Sequence, residues 1–427
     1  MTNPSHNFLY IAFNFPPFAG ASPRHNLSTI KGLIAAGFVP TVITASEQHP
    51  PPLLLAVKLA RDDYLRSKIP DDVTVIPCDW PFKYHPILNE VLNKLKIPSV
   101  PYTFNWMANR IATAAQRQID AGEHELVYSV NGIGLEHQAA LRVKQRTGLP
   151  WVAEFRDPWI YNRLEWGDIK ARSWRWWCKH QFNVVRKTLR LVIENADLIV
   201  VESPMHGERL IKDFKLDEQQ VVALGMGYEA DYIQDVTEGA IHFSKRPVIG
   251  FVGRVYYGYK NAIKNLVEAL KMLEREGYQF TLISAEHQSN ASVFNNFVKE
   301  VSLKSFEPVD SLNYLQALSI MKELDFGIVT TCEECFPHIN SKLWEYLALN
   351  LSILAIVPDT GSMAQIVRAG DCGSVLSYDK AQMVAELRTI LDDYKAGRVR
   401  RASPDFVKGY SRATMIARLA KRMEELL

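Results

Sequence analysis

The sequence predicts an α/β protein built from two Rossmann-like, doubly wound parallel-sheet lobes that face each other across a cleft. The chain has 427 residues, too many for one ordinary core, which favours two lobes of roughly 200 residues each. The continuous apolar runs Phe8–Phe13 and Pro247–Val252 are typical of strands covered on both faces. Each run opens an alternation of strands and helices, and such an alternation favours parallel pairing.

The first lobe begins with a strand, a helix and a second strand. Its predicted strands are Phe8–Phe13, Val39–Thr44, Val73–Ile76, Leu126–Val130, Trp151–Phe155 and Asp197–Val201. The first helix starts at Ser22-Pro23 and ends at Gly37, because serine suits an N-cap and proline suits the first turn. Further helices are predicted at Phe104–Ile119 and Gly134–Thr147, with Gly148 as the stop. Repeated prolines leave most of 46–105 without an assigned element.

The second lobe follows a polar linker, Val236–Arg246. Its predicted elements are strand Pro247–Val252, helix Asn261–Glu276, strand Gln279–Ser284, helix Ser311–Glu323, strand Asp325–Thr330, helix 341–349, strand 351–357, helices 381–394 and 412–427, and one more strand. The predicted domains are therefore 1–240, 241–405 and a C-terminal helical segment, 406–427, that packs back toward the first lobe.

The composition excludes several classes of protein. Hydrophobic residues make up 47% of the chain and the formal net charge is +2, which argues for a globular protein and gives no case for nucleic-acid binding. The five cysteines form no disulfide framework, so we predict a reduced, cytoplasmic protein. The segment MTNPSHN lacks a basic signal-peptide start, and no apolar stretch approaches the roughly 18 residues of a membrane span. Cys332 and Cys335 have the spacing of half a zinc or redox site, but without a second pair we assign no metal.

A basic, tryptophan-rich stretch covers residues 166–195. Seven Lys or Arg and no acid lie between Ile169 and Ile193. Aromatic and aliphatic residues recur there at helical spacing, beside a basic face. Such a helix either packs on its own lobe or lies on an anionic membrane surface. Peripheral membrane contact through residues 166–190, on the inner face of the cytoplasmic membrane, is therefore one hypothesis.

Ligands of open α/β sheets bind at the carboxyl ends of strands, and two candidate loops of the first lobe follow strands. The loop 15–22 contains Gly20 and Ala21, where the backbone would approach a ligand just before a helix. Asp157 and Arg156 follow the strand Trp151–Phe155. Two interpretations of this pair are open. It forms either an ion pair that stabilises a bend, or an acceptor site in which Asp157 takes a proton from a hydroxyl.

Two further candidate loops belong to the second lobe. Arg254 and Lys260 are cations suited to a diphosphate leaving group, although a surface cation pair is the alternative. Lys342 and Glu345 share one helical face, and a helix begins at Gly361-Ser362. A carboxylate suits a sugar diol, while a lysine and a helix N-terminus suit phosphate. This stretch therefore resembles half of a nucleotide-sugar site.

Five segments together resemble the GT-B glycosyltransferases, especially family 4 (glycosyl transferases group 1). They are FNFPPFAGASPRHN, EFRDPW, ADLIVVES, GFVGRVYYGYK and SKLWEYLALNLSILAIV, in the family's order along nearly the whole chain. The resemblance implies a hexosyltransferase (EC 2.4) that moves a sugar from a nucleotide-diphosphate sugar to a glycan or lipid-linked glycan. It also implies retention of configuration, no required cofactor or metal, and a role in bacterial surface polysaccharide or glycolipid synthesis.

The resemblance assigns roles residue by residue. Arg254 and Lys260 would hold the diphosphate, Glu345 would bind the ribose hydroxyls, and Asp157 would contact the acceptor or sugar. The backbone near Gly20 and Gly361-Ser362 would lie against phosphate or sugar. Many relatives carry a second glutamate eight positions before Glu345, where this chain has Pro337. The alternatives are a nucleotide-sugar epimerase on the same fold and a non-catalytic bilobed sugar- or nucleotide-binding protein.

Overall fold

The structure is a computed structural model of the chain. It describes residues 5–48, 61–79, 100–131, 134–157, 187–236, 246–253, 255, 257–285, 293–309 and 314–427. The chain divides into two compact units. Unit 1 comprises Met1–Glu202, His206–Leu224 and Ile416–Leu427, and unit 2 comprises Ser203–Met205 and Gly225–Met415. The division at Leu224 lies upstream of the predicted boundary at residue 240.

Unit 1 contains a seven-stranded sheet in the order β3-β2-β1-β4-β5-β6-β7. The strands are β1 His6–Ile11, β2 Phe38–Ala45, β3 Thr74–Cys78, β4 Leu126–Asn131, β5 Trp151–Phe155, β6 Leu198–Val201 and β7 Val221–Ala223. Every neighbouring pair is parallel, and Tyr10 of β1 lies beside Val42 of β2 and Tyr128 of β4. The residues of β5 are all buried, as expected of a central strand covered by helices on both faces.

The helices of unit 1 connect these strands. They are α1 Ala21–Ala35, α2 Asp63–Ser67, α3 Val100–Ala121, α4 Leu135–Thr147 and α5 Pro204–Phe214. Gly148 ends α4 with φ 72°, and its amide donates to Lys144 O at 2.8 Å, which is the left-handed stop that glycine adopts without a Cβ penalty. This stop was predicted from the sequence and is confirmed.

Unit 2 contains a six-stranded parallel sheet in the order β10-β9-β8-β11-β12-β13. The strands are β8 Val248–Val252, β9 Thr281–Ala285, β10 Phe306–Pro308, β11 Phe326–Thr330, β12 Ser352–Ile356 and β13 Gly373–Val375. The helices are α6 Ala230–Gln234, α7 Lys260–Arg275, α8 Val293–Val301, α9 Tyr314–Lys322, α10 Ser341–Ala348, α11 Ser362–Ala369, α12 Lys380–Lys395, α13 Pro404–Lys408 and α14 Arg412–Glu424, the last of which ends in unit 1.

Both sheets have the strand order of a doubly wound fold, so the predicted fold class is confirmed. Among the described residues, the sequence prediction missed six short elements, which are β7, β10, α2, α6, α8 and α13. It was also wrong at the start of α1. Gly20 is the N-cap, with no side-chain cap, and Ser22 lies inside the helix. The Ser22 hydroxyl accepts a hydrogen bond from Arg156 Nη1 instead.

The tryptophan-rich stretch lies largely outside the described residues. Its described end, 187–195, is helical. Leu189 and Val192 are buried in the core of unit 1, whereas Arg190 is exposed and pairs with Glu194 at 2.7 Å. Among the residues that the structure describes, no helix is both long and apolar enough to cross a membrane.

The expectation of fully reduced cysteines is wrong for one pair. Cys332 and Cys335 form a disulfide, whereas Cys78 and Cys372 are free and buried. The three-residue separation lets one turn of loop bring both sulfur atoms together, so an odd total of cysteines does not prevent a local pair.

Candidate functional site

The candidate site of unit 2 lies where its strand order reverses. β8 and β11 are adjacent in the sheet, but the chain winds outward from them in opposite directions, and ligands of doubly wound folds bind at this switch point. Gly253 follows β8 with φ 145°, and a Cβ there would meet no atom of the described residues within 4 Å. Glycine adopts this positive φ without a Cβ penalty.

A cap fixes the start of α10, and two contacts of Tyr346 hold the helix against this edge. Asn340 caps the helix, since its Oδ1 accepts from Lys342 N at 3.0 Å. The Tyr346 hydroxyl accepts from Val252 N, the last amide of β8, at 3.3 Å. The Tyr346 ring lies so close to β11 that a Cβ on Gly327 would come within 2.5 Å of it. These contacts fix the orientation of the helix that carries Glu345.

Glu345 has two partners on its own unit. Its Oε1 accepts a hydrogen bond from the Tyr314 hydroxyl at 2.9 Å, and its Oε2 lies 2.6 Å from Lys342 Nζ. The residue is only 6% exposed, so its charge needs these partners. A carboxylate has about four lone-pair positions, and two bonds leave room for further donors such as a pair of sugar hydroxyls.

One aromatic ring contacts this ion pair, and a second ring packs against the first. Lys342 Nζ lies 5.6 Å from the centre of the Tyr314 ring, within the range of a cation–π contact. The Tyr314 ring meets the edge of Tyr232 at 5.5 Å between centroids. Tyr314 therefore contacts both members of the pair, a role that the sequence analysis missed because Tyr314 lies 31 residues from Glu345.

The start of α11 is packed against the loop that precedes α10. Ser362 N donates to Phe336 O at 2.8 Å. A Cβ on Gly361 would lie 3.0 Å from Phe336 O and 3.1 Å from Pro358 O. A Cβ would be tight against both carbonyls, so glycine suits this close approach, whereas its φ of −74° is ordinary. The amides of Met363 and Ala364 come next in the first turn, where the helix itself provides no acceptor.

Three hydroxyl groups at the carboxyl edge of this sheet are buried. Ser284, Thr331 and Ser362 are 2%, 1% and 3% exposed, and within the described part of the chain their side-chain oxygens have no hydrogen-bond partner. Buried hydroxyls are normally satisfied by protein, water or ligand. The sequence analysis assigned Ser362 to the site but not Ser284 or Thr331. All three hydroxyls can form further hydrogen bonds at this edge.

The predicted cations are only partly described. Lys260 is the first residue of α7 and is half-buried, near the exit of β8. Arg254 lies outside the described residues. The structure thus brings Lys342 and Glu345 together and places Lys260, Gly361 and Ser362 on loops or helix starts that follow adjacent strands of the same sheet.

In unit 1, the corresponding switch point lies between β1 and β4. Gly20 has φ 126° and is exposed, as is Ala21, so the backbone before α1 is accessible and requires glycine. Arg156 follows β5 and reaches Ser22 of α1. Asp157, the next residue, is the last one described before residue 187.

Glu136 is a polar residue of this edge that the sequence analysis missed. It lies in the first turn of α4, is 5% exposed, and its Oε1 accepts from Phe13 N at 3.3 Å. Its Oε2 has no partner among the described residues. Burial raises the pKa of Glu136 to about 8, although its own backbone amide, that of Phe13 and the charge of Arg156 oppose the rise. The carboxyl is therefore mostly protonated at neutral pH.

His137, beside Glu136, has a structural role. Its Nδ1 lies 2.8 Å from Ser129 Oγ, which also accepts from Trp151 Nε1 at 2.8 Å. Burial lowers the pKa of His137 to about 3, so the ring is neutral.

A second buried network supports the same sheet. Glu154 of β5 accepts from the Tyr128 hydroxyl at 2.6 Å and lies 2.5 Å from His25 Nε2 of α1. The Tyr128 ring stacks on Tyr10 at 5.0 Å, and the Tyr10 hydroxyl bonds Asn26 at 3.2 Å. These bonds tie α1, and with it the Gly20 loop, to three central strands.

Comparison with solved structures finds matches along the whole chain. A glycosyltransferase from Rickettsia africae ESF-5 covers 99% of this chain and 98% of its own, with a TM-score of 0.62 and 14% identity. The UDP-GlcNAc 2-epimerase of Neisseria meningitidis, bound to UDP-GlcNAc, covers 98% and 100%, with a TM-score of 0.59 and 11% identity. The S. aureus MnaA–UDP complex covers 98% and 96%, with a TM-score of 0.57 and 13% identity.

No protein-family model and no curated protein matches the sequence. At such low identities the structural matches show the fold alone, and that fold is GT-B. The expected GT-B architecture is therefore confirmed, whereas membership of family 4 stays a prediction.

Proposed function

We propose that this protein is an enzyme that binds a nucleotide-diphosphate sugar on unit 2 and transfers the sugar to an acceptor hydroxyl. The observation that carries this proposal is the buried Glu345 carboxylate, held by Tyr314 and Lys342 with acceptor capacity to spare. Two adjacent ribose hydroxyls match a fixed carboxylate, because each can donate to one oxygen.

The diphosphate belongs beside the start of α11. The helix dipole and the amides of its first turn favour an anion, and the buried Ser362 hydroxyl offers a donor. Arg254 and Lys260 are the proposed counter-charges for the leaving group, whose negative charge grows as its bond to the sugar breaks.

The chemical step joins the acceptor oxygen to the anomeric carbon and breaks the bond from that carbon to the diphosphate. The electron pair leaves with the nucleoside diphosphate, and the acceptor proton must pass to a base. Asp157 is the proposed base in unit 1, because it follows β5 at the carboxyl edge. The protonated Glu136 is suited to donating a hydrogen bond at the same edge. Retention of configuration is proposed on the family resemblance alone.

An epimerase is the second candidate, because UDP-GlcNAc 2-epimerases are among the structural relatives. Such an enzyme inverts a C–H centre of the sugar and needs no acceptor. The relatives' substrate makes UDP-GlcNAc the first donor to test with this chain.

Ligand binding comes first in the experimental test. A thermal-shift screen of nucleotide sugars, with UDP and UMP alongside, identifies the donor, since a ligand that binds only the folded state raises the Tm. We expect nucleoside diphosphates to stabilise the protein more than monophosphates. No stabilisation by any nucleotide sugar would contradict the proposal.

Reaction in D2O then separates the two activities. Epimerisation through loss of the C–H proton introduces deuterium into the recovered nucleotide sugar without an acceptor. The proposed transferase leaves the sugar carbon unlabelled and releases nucleoside diphosphate faster when a glycan acceptor is present. NMR of the product also gives its anomeric configuration.

A further inference from the structure

We propose that Cys332 and Cys335 form a redox-active pair that controls the geometry of the nucleotide-sugar site on unit 2. The two sulfur atoms are bonded to each other in the loop that joins β11 to α10. This loop leaves β11 at the switch point of the sheet, so it occupies the position where ligands of this fold class bind. The part of the proposal that concerns ligand affinity rests on the proposed function.

The loop is tied to both helices that carry the candidate site. Phe336, the residue after Cys335, accepts from Ser362 N at 2.8 Å and so sets the start of α11. Asn340, at the other end of the loop, caps α10 through Lys342 N at 3.0 Å. A change in the path of the loop between these points therefore displaces the groups that we assign to the diphosphate and the ribose.

The loop is also fixed at its beginning. The Tyr378 hydroxyl donates to Thr331 O at 2.9 Å, directly before Cys332. Cys335 N donates to Cys332 O at 3.1 Å, and His338 N lies 3.4 Å from Cys335 O. The disulfide thus closes the turn between a fixed start and the Phe336 contact, and its loss frees the segment whose carbonyl holds α11.

Cys335 is the more exposed residue of the pair. It is 9% exposed against 4% for Cys332, and it follows the exposed residues Glu333 and Glu334. A reductant would therefore attack Cys335 first. The two other described cysteines differ, because burial raises the pKa of both Cys78 and Cys372 to about 11, which keeps them as unreactive thiols.

The switch is a two-electron thiol–disulfide exchange with a dithiol reductant. One thiolate of the reductant attacks the Cys335 sulfur, forms a mixed disulfide and releases Cys332 as a thiolate, which takes up a proton. The second thiol of the reductant then forms its own internal disulfide and releases Cys335. The protein gains two electrons and two protons, and the dithiol is oxidised.

Reduction should weaken ligand binding. The oxidised loop is held in one arrangement, whereas the reduced loop must be ordered when the ligand binds. Closing a loop of this length lowers the entropy of the open chain. The effect corresponds to a change of up to about twentyfold in an equilibrium constant. Because only part of the loop loosens, we expect the Kd for UDP to rise about five- to tenfold on reduction.

The experiment compares the whole protein in oxidised glutathione and in dithiothreitol. Mass spectrometry after thiol alkylation should show a Cys332–Cys335 disulfide in the first buffer and all cysteines alkylated in the second. Hydrogen exchange should quicken on reduction in peptides covering 333–345 and 361–366, since the Ser362 amide is bonded to Phe336 O. Calorimetry with UDP should show the five- to tenfold weakening.

Two variants complete the test. A Cys332→Ser/Cys335→Ser double variant should bind UDP like the reduced protein in both buffers. A Cys78→Ala/Cys178→Ala/Cys372→Ala triple variant should keep the full redox response.

The proposal is overturned if oxidised glutathione forms no disulfide at this pair. It is also overturned if the disulfide forms and exchange in 361–366 does not change. If UDP binds in neither buffer, the proposed function fails, and the hydrogen-exchange comparison still decides whether the redox pair controls the loop.

Discussion

Lys342 Nζ lies 2.6 Å from Glu345 Oε2, one helical turn away, while the opposite oxygen of the same carboxylate accepts a bond from Tyr314. The pair is largely buried, with side-chain exposures of 17% and 8%. The carboxylate is therefore held in place before any ligand arrives, and a ribose would bind to a preorganised acceptor.

Replacing Glu345 by Gln should weaken nucleotide-sugar binding about 10- to 100-fold, since hydrogen bonds to a charged group contribute about 1.5–3 kcal/mol. The effect should appear mainly in Kd and KM, because the interaction is present in the ground state. Calorimetry and steady-state kinetics measure it. Glu276→Gln is the matched control, since Glu276 belongs to the same unit and pairs with Arg388 at an exposed position. An unchanged Kd in Glu345→Gln would remove the ribose assignment.

Replacing Arg254 or Lys260 by Ala should lower kcat about 10²–10³-fold, the loss expected for one well-placed electrostatic donor to a leaving group. Lys264→Ala is the control, because Lys264 lies one turn further along α7, is 50% exposed and approaches Glu268 at 3.9 Å. Turnover near the wild-type value in both test variants would contradict the proposed role of the cations. EDTA should leave the turnover unchanged, because the proposal assigns stabilisation of the leaving-group charge to Arg254 and Lys260 and not to a metal ion.

Gly361→Ala should disturb the start of α11, because the added Cβ would lie 3.0 Å from Phe336 O. We expect a destabilisation of about 1–2 kcal/mol, together with weaker diphosphate binding. Denaturant unfolding and UDP calorimetry measure the two effects. Gly122→Ala is the control, since its Cβ would meet its nearest atom at an ordinary 3.5 Å. Wild-type UDP affinity in Gly361→Ala would argue against an anion site here.

Glu136 should make stability depend on pH. Its folded-state pKa is raised to about 8 from the ordinary value of 4.5, so the native state keeps a proton that the unfolded state loses. The unfolding free energy contributed by this group is therefore fully present below about pH 4.5 and is lost as the pH rises to about 8, by up to a few kcal/mol.

Denaturant unfolding from pH 5 to pH 9 should show this loss in the wild type. The loss should be absent from the curve of Glu136→Gln, whose side chain stays neutral, so it should appear in the difference between the two curves. Glu123→Gln, at an exposed position, should follow the wild type. Parallel curves for the wild type and Glu136→Gln would show that Glu136 is charged in the native state.

Membrane contact by residues 166–190 is a separate prediction. Wild-type protein should co-sediment with vesicles that contain anionic lipid. The triple variant Arg172→Glu/Arg175→Glu/Lys179→Glu should not, because it replaces basic side chains by acidic ones. The sedimentation of an Arg190→Glu variant should be compared with that of the triple variant. Arg190 lies in the described end of the stretch and pairs with Glu194 on an exposed face. Equal sedimentation with neutral and anionic vesicles would contradict the hypothesis that the basic stretch binds the membrane through its charge.

Much of the fold was predictable because its signals are local. A buried parallel strand must be apolar on both faces, so Trp151–Phe155 and Val248–Val252 are recognisable as short continuous apolar runs. The left-handed stop at Gly148 was also predictable, because a glycine at the end of a helix is a local signal. The pairing of Lys342 with Glu345 follows from helical spacing alone.

Other features depend on residues that are distant in sequence. The bond from Tyr314 to Glu345, the contact of Ser362 with Phe336 and the burial that raises the pKa of Glu136 arise only when separate segments pack together. The N-cap at Gly20 was mispredicted because Arg156, far along the chain, takes the Ser22 hydroxyl.

By itself, therefore, the sequence determined two doubly wound sheets and one helical face bearing a lysine and a carboxylate, since periodicity and spacing are properties of consecutive residues. The tertiary structure alone decided that Glu345 is buried with two partners, that Glu136 is a high-pKa carboxyl, and that Cys332 and Cys335 are bonded. Burial, electrostatic environment and loop closure depend on what surrounds a residue in three dimensions, which its neighbours in sequence do not specify.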